Sequence, residues 1–137
     1  MPTVPGKRGR AGCDAEARAV SPTLEAYRTS LAWSPSVRWL VFGVAPGGFG
    51  STLYLADMAC TDCEPPLYRV TPDGESDLMA AWSPDGRTLA YISRRFNLFA
   101  DVAVLDAACA DTPRGCLGAG RRLTDSTIQA WYPVWRP

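Results

Sequence analysis

The sequence predicts an all-β protein in which a four-stranded antiparallel sheet is repeated along the chain. The string LAWSPSVRWLVFGV at residues 31–44 resembles AAWSPDGRTLAYIS at residues 80–93, and Trp33 and Trp82 stand 49 residues apart. A recurrence of that period indicates a repeat architecture. Short apolar stretches separated by turns, with 12 Gly and 12 Pro in the chain, favour short strands. With 47% apolar residues in 137, the chain is also able to bury a core.

The first half of the second copy is predicted to be a β-hairpin. Residues 78–82 form a short apolar stretch, and Ser83-Pro84-Asp85-Gly86 follows as a β-turn. Pro fixes φ at the second position of such a turn, and Gly suits the fourth. Residues 87–93 then form a second strand that is apolar on consecutive positions, as is WLVFGV in the first copy. Such a strand is predicted to be covered on both faces.

Two further strands complete the predicted unit. A turn at residues 94–97 leads to a third strand at 99–106, and a cysteine-bearing loop leads to a fourth at 121–124. Four short antiparallel strands in about fifty residues are typical of a β-propeller blade. We therefore predict an incomplete ring of about two blades, at residues 30–77 and 78–130. Residues 131–137 are predicted to be the first strand of a further blade, and residues 1–29 a poorly ordered segment or the remnant of a preceding blade.

The register of the repeat changes once. An offset of 49 pairs Arg38 with Arg87 and Asp57 with Asp106, and an insertion of four residues between Cys109 and Cys116 raises the offset to 53. The larger offset aligns Trp82 with Trp135. A rival alignment keeps 49 and uses AWYP at residues 130–133, and we favour 53 because the rival needs a compensating deletion.

These motifs resemble the TolB-type, WD-like β-propeller repeat over roughly residues 30–137. The resemblance is carried by Trp-Ser-Pro-Asp-Gly-Arg-x-Leu-Ala-Tyr-x-Ser at residues 82–93, a strand ending in Asp106, Arg-Leu-Thr at 122–124, and Pro-x-Trp at 133–135. The first copy has Ser36-Val37 in place of Asp-Gly, so its turn is expected to be looser or of another type. The third copy has Arg136 in place of Ser, and the array looks interrupted. The residues of the structural motif are Trp33, Ser34, Pro35, Trp82, Ser83, Pro84, Asp85, Gly86, Trp135 and Pro137.

The resemblance implies blades around a central channel, commonly in extracytoplasmic bacterial proteins. Such propellers serve as binding platforms, or as substrate-gating domains of serine peptidases of the prolyl-oligopeptidase and tricorn kind. The chain has no histidine and no Gly-x-Ser-x-Gly motif, so it cannot complete a Ser-His-Asp triad. We expect a non-catalytic binding or scaffold segment with no catalytic, cofactor-binding or metal-ligating residues. The alternatives are the propeller portion of a peptidase whose catalytic domain lies elsewhere, and, more weakly, a cytoplasmic regulatory module.

Charge and hydropathy limit the kinds of partner. Fourteen basic and fourteen acidic residues cancel, which gives no attraction to nucleic acid. No apolar run approaches the roughly 18 residues of a membrane-spanning helix. A protein partner or further blades are therefore the expected contacts.

The recurring aromatic and acidic residues have simple structural interpretations. Trp33, Trp82 and Trp135 recur at the blade period and are expected to lie in the core between blades. Asp57 and Asp106 end the third strands, where a turn or cap hydrogen bond is expected rather than catalysis.

Five cysteines suggest an oxidising compartment. We expect Cys60 to bond Cys63 and Cys109 to bond Cys116 within equivalent loops, which leaves Cys13 unpaired. A zinc ion held by four thiolates and free thiols in a reducing cytosol are the alternatives. Residues 1–30 lack the apolar run of about 7 to 15 residues of a signal peptide. We nevertheless expect an extracytoplasmic protein, and interpret this lack as a missing N-terminus.

Overall fold

The structure is a computed structural model, which describes Val20 and residues 31–45, 50–59, 61–72, 76–94, 99–111, 115–125 and 130–137. These residues contain eight strands and one short 3₁₀-helix. The strands are β1 (Leu31–Trp33), β2 (Trp39–Val44), β3 (Thr52–Asp57), β4 (Leu67–Arg69), β5 (Asp77–Trp82), β6 (Thr88–Ser93), β7 (Asp101–Asp106) and β8 (Arg121–Arg122), and the 3₁₀-helix is Ala107–Asp111. The expected segment at residues 1–29 lies outside the described residues, apart from Val20.

The strands form two four-stranded antiparallel sheets, which confirms the all-β prediction. The first sheet has the order β1-β2-β3-β4, and the second has the order β5-β6-β7-β8. Trp33 pairs with Leu40 in the first sheet, as Trp82 pairs with Leu89 in the second. The two hairpins that the sequence aligned therefore have the same register next to the turn, whereas further along β5 a β-bulge between Leu78 and Ala81 shifts the register of the second hairpin.

The turns between β1 and β2 and between β5 and β6 have the same backbone hydrogen bonds. Gly86 N donates to Ser83 O at 2.9 Å, and Val37 N donates to Ser34 O at 2.9 Å. Both residues also have positive φ, 71° at Gly86 and 60° at Val37. The prediction of a looser or different first turn was therefore wrong.

Side-chain hydrogen bonds explain why the first turn keeps this shape without Asp-Gly. In the second turn Ser83 Oγ accepts from Thr88 N at 2.9 Å and donates to Asp85 Oδ1 at 2.6 Å. In the first turn Ser34 Oγ accepts from Trp39 N at 3.0 Å and lies 3.0 Å from Ser36 Oγ. Ser36 thus takes the place of the carboxylate, since a short hydroxyl side chain also stabilises a turn of this kind.

The main hydrophobic core lies between the two sheets, where β5 packs across β1, β2 and β3. Trp82 packs against this core and is partly buried. The buried members of the core are Trp39, Val41, Leu53, Leu55, Val70, Ala80, Leu89, Tyr91, Ala103, Leu105 and Cys116. A second cluster of Leu40, Phe42, Val44 and Ala56 covers the other face of the first sheet, and Val20 packs against it.

The ends of the second sheet differ from the prediction. β7 begins at Asp101, two residues later than expected, and β8 ends at Arg122 rather than at Thr124. Leu123 N and Thr124 N both donate to Val102 O, at 2.8 and 3.3 Å, so the chain leaves the regular ladder there. Apolar pattern alone does not reveal this, because Leu123 reads as a strand residue and is 56% exposed.

Candidate binding cleft and the contact between the sheets

The indole of Trp82 donates a hydrogen bond from the second sheet to the first, and Trp135 makes the equivalent hydrogen bond to the second sheet. Trp82 Nε1 donates to Ala32 O at 3.2 Å, and Trp135 Nε1 donates to Ala81 O at 2.9 Å. Each acceptor directly precedes a tryptophan of the motif, since Ala32 precedes Trp33 and Ala81 precedes Trp82. Residues near the C-terminus therefore contact the second sheet as β5 contacts the first.

Two backbone hydrogen bonds are also made by equivalent residues of the repeat. Asp77 N donates to Ser51 O at 3.1 Å, and Ala130 N donates to Ala100 O at 2.8 Å. The two donors differ by 53 residues, as do Trp82 and Trp135. The rival alignment on residues 130–133 is wrong, because Trp135 makes the indole contact.

Trp33 does not share the environment of the other two motif tryptophans. It is 50% exposed, whereas Trp82 and Trp135 are partly buried. Its indole makes no hydrogen bond to the rest of the described chain. The expected core position of Trp33 is therefore not found, since no described strand lies on its outer side.

The remaining motif residues shape the two turns. Ser34 and Ser83 are each 4% exposed, while Pro35, Pro84 and Pro137 are exposed. A Cβ placed on Gly86 would lie 3.5 Å from Pro35 Cδ, so the first turn packs against the second.

A cavity of about 740 Å³ opens where these turns approach the 3₁₀-helix. Its walls include the indoles of Trp39 and Trp82 and the hydroxyl-bearing residues Ser34, Ser36 and Thr88. Two arginines and two aspartates line it as well, namely Arg87, Arg121, Asp106 and Asp111. Aromatic walls combined with both charges suit a peptide-like ligand, which has apolar side chains, amide groups and mixed charge. We call this cavity the intersheet cleft.

The aspartates that end the third strands support turns. Asp57 Oδ1 accepts from Ala59 N at 3.1 Å, and Asp106 Oδ1 accepts from Ala108 N at 2.9 Å, which confirms the predicted role. Asp57 also accepts two hydrogen bonds from the Arg38 guanidinium, at 3.1 and 3.2 Å. The hydrogen bonds from Arg38 lower the pKa of Asp57, although partial burial opposes the shift.

A buried ion pair near the start of β7 was not predicted. Asp101 is fully buried, and its Oδ2 accepts from Arg122 at 2.7 and 3.1 Å. Its Oδ1 accepts from Thr124 Oγ1 at 2.9 Å. The equivalent residue of the first sheet is Thr52, so comparison of the two copies gave no signal for a charge here. This network ties the β8 edge to β7 and leaves Asp101 fully engaged.

The cysteines partly match the expected pairing. Cys109 and Cys116 form a disulfide bond with a Cα–Cα distance of 4.7 Å. Cys63 is also disulfide-bonded, while Cys60 and Cys13 lie outside the described residues. The alternative of one zinc ion on four thiolates is wrong, because Cys109 and Cys116 are joined to each other. Within the described ranges, no three His, Cys, Asp or Glu side chains are grouped as metal ligands.

Comparison with protein-family models finds no match, and comparison with curated proteins finds no significant match. In the part of the chain that the structure describes, no helix is long and apolar enough to cross a membrane.

Proposed function

We propose that the chain is a non-catalytic β-propeller segment of the TolB-like kind, which serves as a binding or scaffold module of a larger extracytoplasmic protein. The observation that carries this proposal is the repeated indole contact, from Trp82 to Ala32 and from Trp135 to Ala81. In a propeller, equivalent four-stranded sheets contact their neighbours in the same way from one blade to the next. The repeated indole contact supports the proposal because it follows that pattern.

Three of the described aspartates are engaged in structural hydrogen bonds, which supports a non-catalytic role. Asp57 is paired with Arg38, Asp101 with Arg122 and Thr124, and Asp85 with Ser83. A general acid or base needs a carboxyl group that can reach a reacting atom and change its protonation state there. The chain has no histidine to take that role instead.

The intersheet cleft is the proposed binding surface, with a protein segment as its ligand. Arg87 and Arg121 provide donors at its edge, and Asp106 provides an acceptor. Trp39 and Trp82 provide apolar area between them. This combination matches an extended peptide better than an anionic ligand, because the charges on the walls balance.

Selection of peptides from a random display library tests this proposal. Peptides that bind the full chain should lose at least about tenfold in affinity when Arg87→Ala or Arg121→Ala is introduced, because each change removes a donor of the cleft. Arg136→Ala is the matched control, since Arg136 is exposed and does not line the cleft. The selected peptides should also remain uncut after long incubation. Affinity that is unchanged in both cleft variants, or cleavage that falls on mutation of this chain, contradicts the proposal.

A further inference from the structure

An equivalent pair of charged residues forms an ion pair in the first sheet but not in the second. Arg87 and Asp106 correspond to Arg38 and Asp57 at the offset of 49. The Arg38 guanidinium donates to Asp57 from Nε at 3.2 Å and from Nη2 at 3.1 Å. Arg87 and Asp106 form no ion pair in the part of the chain that the structure describes.

Equivalent main-chain hydrogen bonds give the two pairs the same backbone arrangement. Met58 N donates to Arg38 O at 2.7 Å, and Ala107 N donates to Arg87 O at 2.8 Å. The aspartate of each pair also accepts a hydrogen bond from the amide two residues later. The two pairs therefore differ in their side chains and not in their placement on the strands.

The residue after each arginine explains the difference. Arg38 Cζ lies 4.8 Å from the centroid of the Trp39 ring, and this stacking holds the guanidinium beside Asp57. The residue equivalent to Trp39 is Thr88, so Arg87 has no aromatic ring at that position. An exposed ion pair without such support contributes little. Arg87 and Thr88 both line the intersheet cleft, which therefore has a guanidinium that a ligand can reach.

The second arginine of the cleft is also outside any ion pair among the described residues. Arg121 lies on β8 opposite Val104 and lines the cleft. The next residue, Arg122, is bonded to Asp101 instead. The cleft thus presents two cationic side chains, which come from strands on either side of β7 or from the turn beside it.

The acidic residues of the cleft are already engaged within the chain. Asp106 Oδ1 accepts from Ala108 N at 2.9 Å. The hydrogen bonds of Arg38 to Asp57 are the main cause of its raised pKa, and the nearby charge of Asp111 raises that pKa further. The charge of the cleft that is least compensated by the chain itself is therefore positive.

We propose that the peptide bound in the intersheet cleft carries an acidic side chain, whose carboxylate takes on Arg87 the place that Asp57 holds on Arg38. The inference rests on the proposed binding function and names the chemistry of the segment that the cleft selects. A guanidinium binds a carboxylate through two parallel N–H donors, as in the pair of the first sheet. Arg121 supplies further donors from β8.

An acidic side chain suits the cleft better than the C-terminus of a peptide. Terminal carboxylates are typically held by main-chain N–H groups. The amides of Ala107 and Ala108, two residues of the cleft wall, already donate within the chain. The arginine side chains are therefore the charged donors that a carboxylate meets. Asp106 and Asp111 repel additional negative charge, so we expect one acidic residue in the bound segment rather than an acidic run.

Three display libraries of short random peptides without Lys, Arg and His test the inference against the full chain. The first contains Asp and Glu and has blocked ends. The second omits both acids and has blocked ends, and the third omits them but has a free C-terminus. Peptides from the first library should each keep an acidic residue, and they should bind at least about tenfold more tightly than peptides from the other two.

A double-mutant cycle on the selected peptides then tests the contact with Arg87. Arg87→Ala and replacement of the acid of the peptide by its amide should each weaken binding by at least about tenfold. Together they should weaken it little more than either change alone. Arg87→Lys should recover part of the affinity, since it keeps the charge but not the parallel donors. Arg136→Ala is the control outside the cleft.

Asp106→Asn gives a readout that damage to the fold would not give. The amide keeps an oxygen that accepts from Ala108 N and removes a negative charge from the cleft. Binding of the acidic peptides should strengthen by about two- to fivefold, and binding of their amide analogues should stay the same.

The possible failures are distinguishable. Peptides without acids that bind as tightly and still lose affinity on Arg87→Ala or Arg121→Ala contradict this inference and leave the proposed function intact. Additive losses in the cycle, or weaker binding of acidic peptides to the Asp106→Asn variant, also contradict this inference alone. Binding that neither arginine variant changes, or no binder from any library, contradicts the proposed function as well.

Discussion

Val37 in the first turn holds the same left-handed backbone conformation as Gly86 in the second, with φ of 60° and 71°. The left-handed conformation costs an L-residue roughly 1–2 kcal/mol, and a β-branched residue is least suited to it. Glycine reaches this region without a steric cost. The first turn is therefore formed against the preference of its own residue, and the hydrogen bonds that Ser34 accepts from Trp39 N and Val37 N hold it in place.

Replacing each of the two turn residues by the other should change the free energy of unfolding in opposite directions. Val37→Gly is expected to stabilise the chain by about 0.5–1 kcal/mol, after allowance for the greater freedom of glycine in the unfolded chain. Gly86→Val should destabilise it by at least about 1–2 kcal/mol through φ, while its Cβ meets no atom closer than 3.5 Å and only the two γ-methyl groups can add a steric cost. Urea unfolding measures both changes. A destabilising V37G variant contradicts the account.

The indole hydrogen bonds predict a graded series of tryptophan variants. Trp82→Phe and Trp135→Phe each remove a donor to a main-chain oxygen in the neighbouring sheet. Each should cost about 1 kcal/mol from the hydrogen bond, in addition to lost ring contacts. Trp33→Phe is the matched control and should change the unfolding free energy little, since Trp33 is 50% exposed. Equal losses in all three variants would mean that the hydrogen bonds do not distinguish these positions.

The repeat allowed most of the fold to be predicted, because apolar runs and the Trp-Ser-Pro turn are local signals. The pairing of Trp82 with Leu89 follows directly from such a hairpin. The conformation of Val37 could not be predicted, since it depends on side-chain hydrogen bonds and flanking strands that overcome a local preference. The ion pair of Asp101 with Arg122 was missed for a similar reason, because it joins residues 21 positions apart in one copy only.

The intersheet cleft was also beyond prediction from the sequence. It depends on how the turn at Ser36 approaches the 3₁₀-helix and on the side chain of Arg121 from β8. The packing angle between the two sheets sets the distances between the residues that line the cleft. Nothing in the spacing of the motif residues encodes that angle. The two successive contacts of Trp82 and Trp135 could be anticipated as burial of motif residues, but not as hydrogen bonds to main-chain oxygens.

The second turn should lose part of its stabilisation in acid. The hydrogen bond from Ser83, followed by that from Arg87 N, lowers the pKa of Asp85. Its pKa in the folded chain is thus below the unfolded value of about 3.9, so its contribution is fully present above that pH. The contribution disappears as the pH falls through the folded pKa. Asp85→Asn should flatten this part of the stability profile, as measured by unfolding between neutral pH and strong acid.

Asp85→Ser is the matched variant for this acid dependence, because it copies Ser36 of the first turn. It should keep the turn at neutral pH through a hydroxyl contact and lose the dependence on the carboxylate. If the unfolding free energy of both variants still falls in acid as it does in the natural chain, other groups cause that fall. Asp57 is one such group, since Arg38 also lowers its pKa.

Gly120 is required for the position of a core tyrosine. A Cβ at Gly120 would overlap the Tyr91 hydroxyl and would lie 2.9 Å from Tyr91 Cζ. Tyr91 is fully buried, so its ring has no free direction in which to move. Gly120→Ala should therefore destabilise the chain by about 1–3 kcal/mol through overpacking.

A double-mutant cycle with Tyr91→Phe separates this clash from any general effect of alanine at position 120. The phenylalanine removes the overlapping hydroxyl and leaves the contact of 2.9 Å with ring atom Cζ, so Gly120→Ala should cost less in that background. Additive losses would show that the hydroxyl is not the obstacle. Thermal and urea unfolding both report the interaction energy.

The disulfide between Cys109 and Cys116 is expected to stabilise the second sheet and to report on the compartment. Its loop spans 7 positions of sequence, for which chain entropy predicts about 2 kcal/mol. Replacement of both cysteines by alanine should lower the unfolding free energy by that amount, with a further loss from Cys116, which is 2% exposed in the core.

Because such bonds persist in oxidising compartments, chain exported to a bacterial periplasm should yield both Cys109–Cys116 and a bonded Cys63 in non-reduced digests. The predicted partner of Cys63 is Cys60, with Cys13 left alkylatable. Free thiols at positions 109 and 116 after export would contradict both the stabilising role of the bond and the extracytoplasmic assignment.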